Sequence, residues 1–256
     1  MEGQALSNQS RSAILVYHSL DTSGLVFSTD PGVFRAQIEA IAGSGLRTVP
    51  LEMIRRVPGA VALTFDDGYA NFLDHALPLL VDHRLPATLF VVSGYCGRRR
   101  GWLSQSPPGT GQPLLSWNAI RQIAEAGITI GAHTVNHPDL LSLSDEQAIR
   151  EMRDCRHEIE DRIGRPANAL AYPYGRSNER IRRLAREEFQ LACGTRLALV
   201  NDSSDPHDMP RIFDFYVKSP FWLRKLNRAD GRAYIAARGW VAKGRDLLKS
   251  RSLACI

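Results

Sequence analysis

Ala62-Leu63-Thr64-Phe65-Asp66-Asp67-Gly68-Tyr69 joins an apolar run to two adjacent carboxylates and a glycine that lets the chain turn at once. A short apolar run bounded by a turn reads as a buried strand, here Val61 to Phe65. Parallel-sheet folds carry functional groups at the carboxyl ends of their strands, so the acidic pair marks a site as well as an element. Neighbouring side chains on an extended segment diverge, leaving one aspartate for a metal and the other for substrate. A plain Asp-Gly turn is the alternative meaning of the same residues.

On both sides of this string, short β-rich runs alternate with helical spacing. Ile14 to Tyr17, Ala87 to Val92, Ile128 to Ile130, Ala169 to Tyr172 and Leu191 to Thr195 read as strands. Phe34 to Ala42 carries apolar residues at i, i+4 and i+7 and reads as a helix. Asn71 to Asp82, kinked at Pro78, Trp117 to Ala126 and Glu179 to Glu187 are further helices. Ser144 with Gln147 three residues later is a capping box that opens a long helix stopped near Ile163 by Gly164 and Pro166. Strand–helix alternation implies crossover connections and a mainly parallel α/β sheet, closed as a barrel or open and doubly wound.

A second constellation follows another strand: Gly131-Ala132-His133-Thr134-Val135-Asn136-His137-Pro138. Histidines at i and i+4 share one face if the segment turns helically, which suits a common divalent ion. With Asp67 they make two imidazoles and one carboxylate, a set for Zn²⁺ and also for Fe²⁺ or Co²⁺, with positions left for water and substrate.

Thr64 to Tyr69 and His133 to His137, followed by Ala171-Tyr172-Pro173-Tyr174-Gly175, together resemble the three leading motifs of the polysaccharide deacetylases, carbohydrate esterase family four. The likeness runs from about Ala13 to Ile212. It implies a distorted (β/α)7 barrel with a metal at its mouth, held by Asp67, His133 and His137, and Zn²⁺ as the expected ion. It further implies Asp66 as general base and the Tyr174 backbone N–H as donor to the tetrahedral oxyanion. Ala171 stands where the family commonly has an arginine that pairs with the base, and Arg211 of Met209-Pro210-Arg211-Ile212 is the candidate replacement. No Leu-x-His motif follows Tyr174. The chain resembles a branch in which that motif has moved to the front, making His18 the general acid. The expected substrate is an N-acetylated carbohydrate, either an oligo- or polysaccharide or a lipid-linked glycan.

Composition bounds the rest. A chain of 256 residues with 44% hydrophobic and 23% charged residues is ordinary for a globular protein. The divisions expected are a flexible stretch 1–12, a barrel 13–215 and a basic extension 216–256. After Phe215, ten cations from Lys218 to Arg251 face only Asp230 and Asp246, so the net charge of +5 is concentrated there. That segment reads as helices packed on the barrel, or as an amphipathic surface for an anionic bilayer. Nucleic acid is not an expected partner, because the rest of the chain is net acidic and carries no recognition motif. The polar start and the lack of a run near ~20 apolar residues point to a cytoplasmic protein, at the inner membrane face if the tail docks. Cys96, Cys155, Cys193 and Cys255 form no C-x-x-C pair and read as reduced thiols, Cys255 exposed near the end. His75, His83, His157 and His207 read as solvated, Trp117 as packing, and Tyr95 and Trp102 as candidate sugar-stacking rings. A catalytically silent carbohydrate-binding barrel is the competing function.

Overall fold

Seven strands run parallel in one sheet: β1 (Ala13–Tyr17), β2 (Val61–Phe65), β3 (Ala87–Val91), β4 (Thr129–Ala132), β5 (Ala169–Ala171), β6 (Leu191–Cys193) and β7 (Ile212–Phe213). Their order is β6-β5-β4-β3-β2-β1-β7. The computed structural model describes residues 11–102 and 111–253, with side chains as far as 241. A parallel bridge between Cys193 and Met209 joins the end of β6 to the approach to β7, so the curled sheet meets itself. The result is the distorted (β/α)7 barrel, one of the two closures that the alternation allowed.

Each side of every strand finds cover. In β2, Val61, Leu63 and Phe65 point to the helices and belong to the larger apolar cluster, while Ala62 belongs to the smaller inner one. Ile14, Phe90, Ala169, Ala171, Cys193 and Met209 fill the rest of that inner layer. Because side chains alternate along a strand, Ala62, Thr64 and then Asp66 face inward. That alternation aims the Asp66 carboxylate into the mouth of the barrel. Parallel strands buried on both faces need no polar alternation, which is why their sequences read as short apolar runs.

The helices start and stop where their sequences say. Asp30 caps α1 (Pro31–Ala42) by accepting from the N–H groups of Gly32 and Val33. The predicted helix over 71–82 is two pieces, α2 (Phe72–His75) and α3 (Leu77–Asp82), with Pro78 in the first turn of the second; proline has no N–H to continue the ladder. α4 spans Trp117–Glu125. α5 (Asp145–Ile163) has both capping-box bonds between Ser144 and Gln147, and ends on left-handed Gly164. α6 is Glu179–Glu188.

The basic extension is joined to the barrel at its beginning. α7 (Pro220–Leu223) and α8 (Ala229–Leu253) follow a 3-10 turn, and Val217, Leu223, Leu226 and Ile235 are buried in the larger cluster. Gln37 of α1 donates to the carbonyl oxygens of Asp214 and Val217. Up to Ile235, therefore, these are helices packed on the barrel. No described helix is long and apolar enough to cross a membrane. At the other end, Ser12 is already buried and exchanges backbone hydrogen bonds with Val200; residues 1–10 and Cys255 lie outside the described residues.

Gly131 shows how tightly the inner layer is filled. A Cβ there would come within 2.6 Å of the Phe90 ring and 3.1 Å of the Ala169 carbonyl oxygen. Gly131→Ala is expected to lower the unfolding free energy by about 1–3 kcal/mol, the usual result of overpacking a filled core. Urea unfolding would measure it; an unchanged midpoint would mean that Phe90 moves aside freely.

Candidate active site

Both quoted motifs meet at the carboxyl ends of β2 and β4. Asp66 follows β2 directly, its N–H bonded to the Tyr17 carbonyl, and Asp67 then takes a left-handed φ of 72°. The two carboxylates diverge because of that turn, and Gly68 (φ 73°) completes it. The histidine segment does not turn helically, contrary to the i, i+4 argument. Thr134 (φ 68°) and His137 (φ 56°) are left-handed, and Thr134 Oγ1 accepts the His137 N–H at 3.0 Å. This local knot swings both rings to one point.

The donor set there fits a divalent cation. His133 Nδ1 lies 2.7 Å from the Ala171 carbonyl, which only accepts, so Nδ1 carries the proton and Nε2 is free to ligate. The Nε2 atoms of His133 and His137 stand 3.4 and 3.6 Å from Asp67 Oδ1. All three ligand atoms lie within 4.8 Å of one another. Bonds of ~2.0–2.1 Å at tetrahedral angles separate ligands by about 3.3 Å, close to the two shorter distances. His137 Nδ1 is buried without a partner. Burial, with His133 alongside, pushes the His137 ring down to about 3, so it stays a neutral lone-pair donor. Burial acts most strongly on His133 and lowers it, but the hydrogen bond to Asp67, the charges of Asp66 and Asp67 and the Ala171 carbonyl together outweigh it and raise the ring, showing how strongly this spot draws a positive charge. Tyr69 is hydrogen-bonded to Asp67 and accepts from Arg100 Nη1 at 2.9 Å, supporting the carboxylate from behind.

Asp66 faces an arginine. Arg211 Nη1 and Nη2 each donate to one Asp66 oxygen at 2.7 Å, a bidentate pair in which the guanidinium is fully buried. Arg211 Nε donates to the Gly194 carbonyl at 2.9 Å, and the guanidinium lies 5.9 Å over the Phe90 ring. Burial alone would lift the Asp66 carboxyl, but the Arg211 charge, with His133 and His18 adding, brings it below its ordinary value. His18, at the end of β1, puts Nε2 3.9 Å from Asp66 Oδ2 and stacks on Phe213 at 5.8 Å. Burial lowers this imidazole, against the pull of Asp66 and Asp67. Tyr174 (φ 58°) sits on the turn Pro173–Gly175, its ring 4.6 Å from His137.

These seven residues, Asp66, Asp67, His133, His137, His18, Tyr174 and Arg211, therefore come together, six of them lining a cavity of about 190 Å³ that Arg211 braces from below. That is smaller than the roughly 300–1,000 Å³ of pockets that enclose a drug-sized ligand, and suits one pendant group of a larger molecule. Trp102, a candidate stacking ring, lies parallel to His137 at 4.7 Å with Tyr95 behind it. Reasoning from sequence missed Arg100, Phe27, Phe213 and Thr195 in the lining. It also missed Asp214, whose carboxyl accepts from Thr29 Oγ1 at 2.8 Å and feels the His18 charge. None of these has a local motif; the RIFDF string after Arg211 was the one visible cue. His207 corrects the expectation of a solvated ring: it is buried, with Nε2 on the Phe189 carbonyl at 2.9 Å, and it serves the fold. His83 and His157 are exposed as expected, and His75 is half-buried. Trp117 packs on the core beneath Arg162.

A polysaccharide deacetylase family model matches residues 55–189. A chitooligosaccharide deacetylase from Sinorhizobium fredii is 31% identical over 172 residues, covering 65% of this chain and 66% of that one. A poly-beta-1,6-N-acetyl-D-glucosamine N-deacetylase from Staphylococcus epidermidis is 25% identical over 163 residues, 60% of this chain and 54% of that one. The chain thus spans less than two thirds of either relative. Among solved structures, IcaB from Ammonifex degensii superposes with a TM-score of 0.72 at 22% identity, covering 84% of this chain and 97% of that one, a likeness of fold.

The buried pair makes a pH-signed prediction. A depressed carboxyl stabilises the fold above its unfolded pKa and loses that contribution as pH falls through its folded one. Arg211→Met strands the Asp66 charge and reverses the shift. The variant is expected to be less stable by about 3–5 kcal/mol near pH 7, with the gap narrowing at an acid pH where Asp66, no longer held down by Arg211, protonates. Urea unfolding at both pH values reads this out; a constant gap would mean that Arg211 acts through packing alone.

Proposed function

Because this chain belongs to the polysaccharide deacetylase family, we propose that it is a metal-dependent hydrolase that removes the N-acetyl group from an amino sugar of an oligo- or polysaccharide or of a lipid-linked glycan. The observation that carries the reading is the bidentate Arg211–Asp66 pair set beside the Asp67, His133 and His137 ligand atoms. Those three residues would hold the cation, Zn²⁺ first, with Co²⁺ or Fe²⁺ as alternatives. When bound, it supplies a Lewis acid that polarises the acetyl carbonyl and acidifies the attacking water toward a pKa of about 7.

The chain's own groups do the rest. Asp66, kept ionised by Arg211, takes the proton of the attacking water at a carboxylate oxygen. The Tyr174 N–H donates to the oxygen that gains charge as the carbonyl carbon becomes tetrahedral; a preorganised donor of this kind contributes roughly 3 kcal/mol. His18 Nε2, close enough to Asp66 to share its field, delivers a proton to the departing nitrogen. The C–N bond breaks to give acetate and the free amine. Water stays limited because Asp66, Asp67, His133 and His137 are all buried. The competing silent barrel draws its support from the alanine in the third motif; the Arg211–Asp66 pair weighs against it, because it restores the pairing that alanine removes.

The test is acetate release from N-acetylglucosamine oligosaccharides and a lipid-linked acetamido sugar, with Zn²⁺ or Co²⁺ added or chelated away. Asp66→Asn is expected to lower kcat by about 10²–10⁴, the usual contribution of a general base, and chelation to abolish turnover. Metal-independent release, or full activity in the variant, would refute the reading.

A second reading, docking of α8 on an anionic bilayer, is favoured by Trp240 at 82% and Val241 at 61% exposure on a cation-rich helix. Flotation with anionic vesicles should be lost in a Trp240→Ser, Val241→Ser double variant; equal flotation would dismiss it.

A further inference from the structure

A second cavity, of about 950 Å³, opens beside the catalytic one, and Thr195 and Phe213 line both. Its one wall is the loop from Thr195 to Ser204, and its other is α8. The loop is pinned at several points. The Arg196 carbonyl accepts from Arg211 N–H, Val200 pairs with Ser12, and Ser204 Oγ accepts from the Asn201 N–H. The helix is seated hard against it, since a Cβ at Gly239 would come within 2.7 Å of the Leu197 carbonyl oxygen. Gly175 brings the third motif equally close to Thr195, where a Cβ would meet the side chain at 2.1 Å. The groove is thus braced against the catalytic turn.

Its charge is one-sided. Arg11, Arg196 and Arg232 line it, and no carboxylate does among the described lining residues. Arg232 donates Nη1 to the Asn227 carbonyl at 2.8 Å, which orients it. Arg196 Nε is 3.9 Å from Asp208, whose nearer cation is Arg182 at 2.9 Å. Three arginines along one groove raise its potential and concentrate anions there. Their flat forks match phosphate oxygens two at a time, and their combined charge is better balanced by a phosphate dianion than by one carboxylate. Trp240 and Phe213 supply apolar faces along the same lining.

We propose that this groove binds the phosphate of a phosphorylated N-acetyl amino sugar whose acetamido group occupies the catalytic cavity. The inference rests on the deacetylase reading and narrows its substrate class from neutral glycans to sugars carrying a phosphate ester.

The test compares N,N′-diacetylchitobiose with its 1-phosphate on the full, metal-loaded chain, by calorimetric binding and by acetate release. The phosphorylated sugar is expected to bind about tenfold tighter at ~50 mM salt and to lose most of that advantage at ~300 mM. Its kcat/KM relative to the neutral sugar should fall about tenfold in an Arg196→Gln, Arg232→Gln double variant. Arg196→Lys, which keeps the charge but loses the fork, should keep part of the preference, more than Arg196→Gln does. Equal handling of the two sugars, or a preference that survives the double glutamine variant, would overturn the groove assignment. If neither sugar releases acetate, the deacetylase reading fails. A phosphate-dependent binding advantage lost in the double variant would then still uphold the anion site.

Discussion

The site depends on a guanidinium placed where a barrel would ordinarily put an aliphatic side chain. Arg211 is fully buried above Phe90 and spends all three of its nitrogens on the barrel interior: two on Asp66 and one on the Gly194 carbonyl. Taking both ions out of water is costly, and geometry this close to ideal is what makes such a pair tolerable. In return the pair ties the approach to β7 to the end of β2, past the intervening β1. The charged state of Asp66 thus depends on the residue that leads into the short closing strand. Any change that loosened the seam between β6 and β7 would also disturb Asp66.

Much of this architecture was legible because it is local. The runs that became β2, β3, α4 and α5 carry their own limits: an apolar stretch, a serine cap, a terminal glycine. Asp66 and Asp67 were legible because the pair ends a buried strand and, read together with the histidine segment, resembles a known family's motifs. Arg211 was reached from the resemblance, as a stand-in for the arginine that Ala171 replaces in the third motif, and the structure places it on Asp66. The candidate ligand set was found for a partly mistaken reason. Spacing suggested a helical face for His133 and His137, whereas left-handed Thr134 and His137 bring the rings together. No propensity anticipates two such residues in one tetrad, because their strain is held in place by tertiary contacts.

What stayed hidden was assembled over long sequence distances. Phe27, Arg100 and Thr195 come from three separate loops, and their meeting around one cavity follows from the curl of the sheet. His207 failed as a prediction for a related reason. A polar, aspartate-rich loop suggests solvent, but the loop folds back so that the ring reaches the Phe189 carbonyl. The fate of the basic segment likewise turned on four apolar residues, Val217, Leu223, Leu226 and Ile235, which find the larger apolar cluster.

Of the five described non-glycine residues with left-handed backbone, four are Asp67, Thr134, His137 and Tyr174, all at the mouth of the barrel. Each such conformation costs of order 1–3 kcal/mol, and the fully buried strands beneath absorb it. The mouth is thus held against its own preference, and the fold would relax if glycine replaced these residues. For a lineage carrying this barrel, giving up chemistry is thermodynamically downhill, whereas acquiring it is uphill. Selection on turnover must act continuously to keep the ring of strained residues in place, and barrels freed from it would drift toward sturdier, inert descendants.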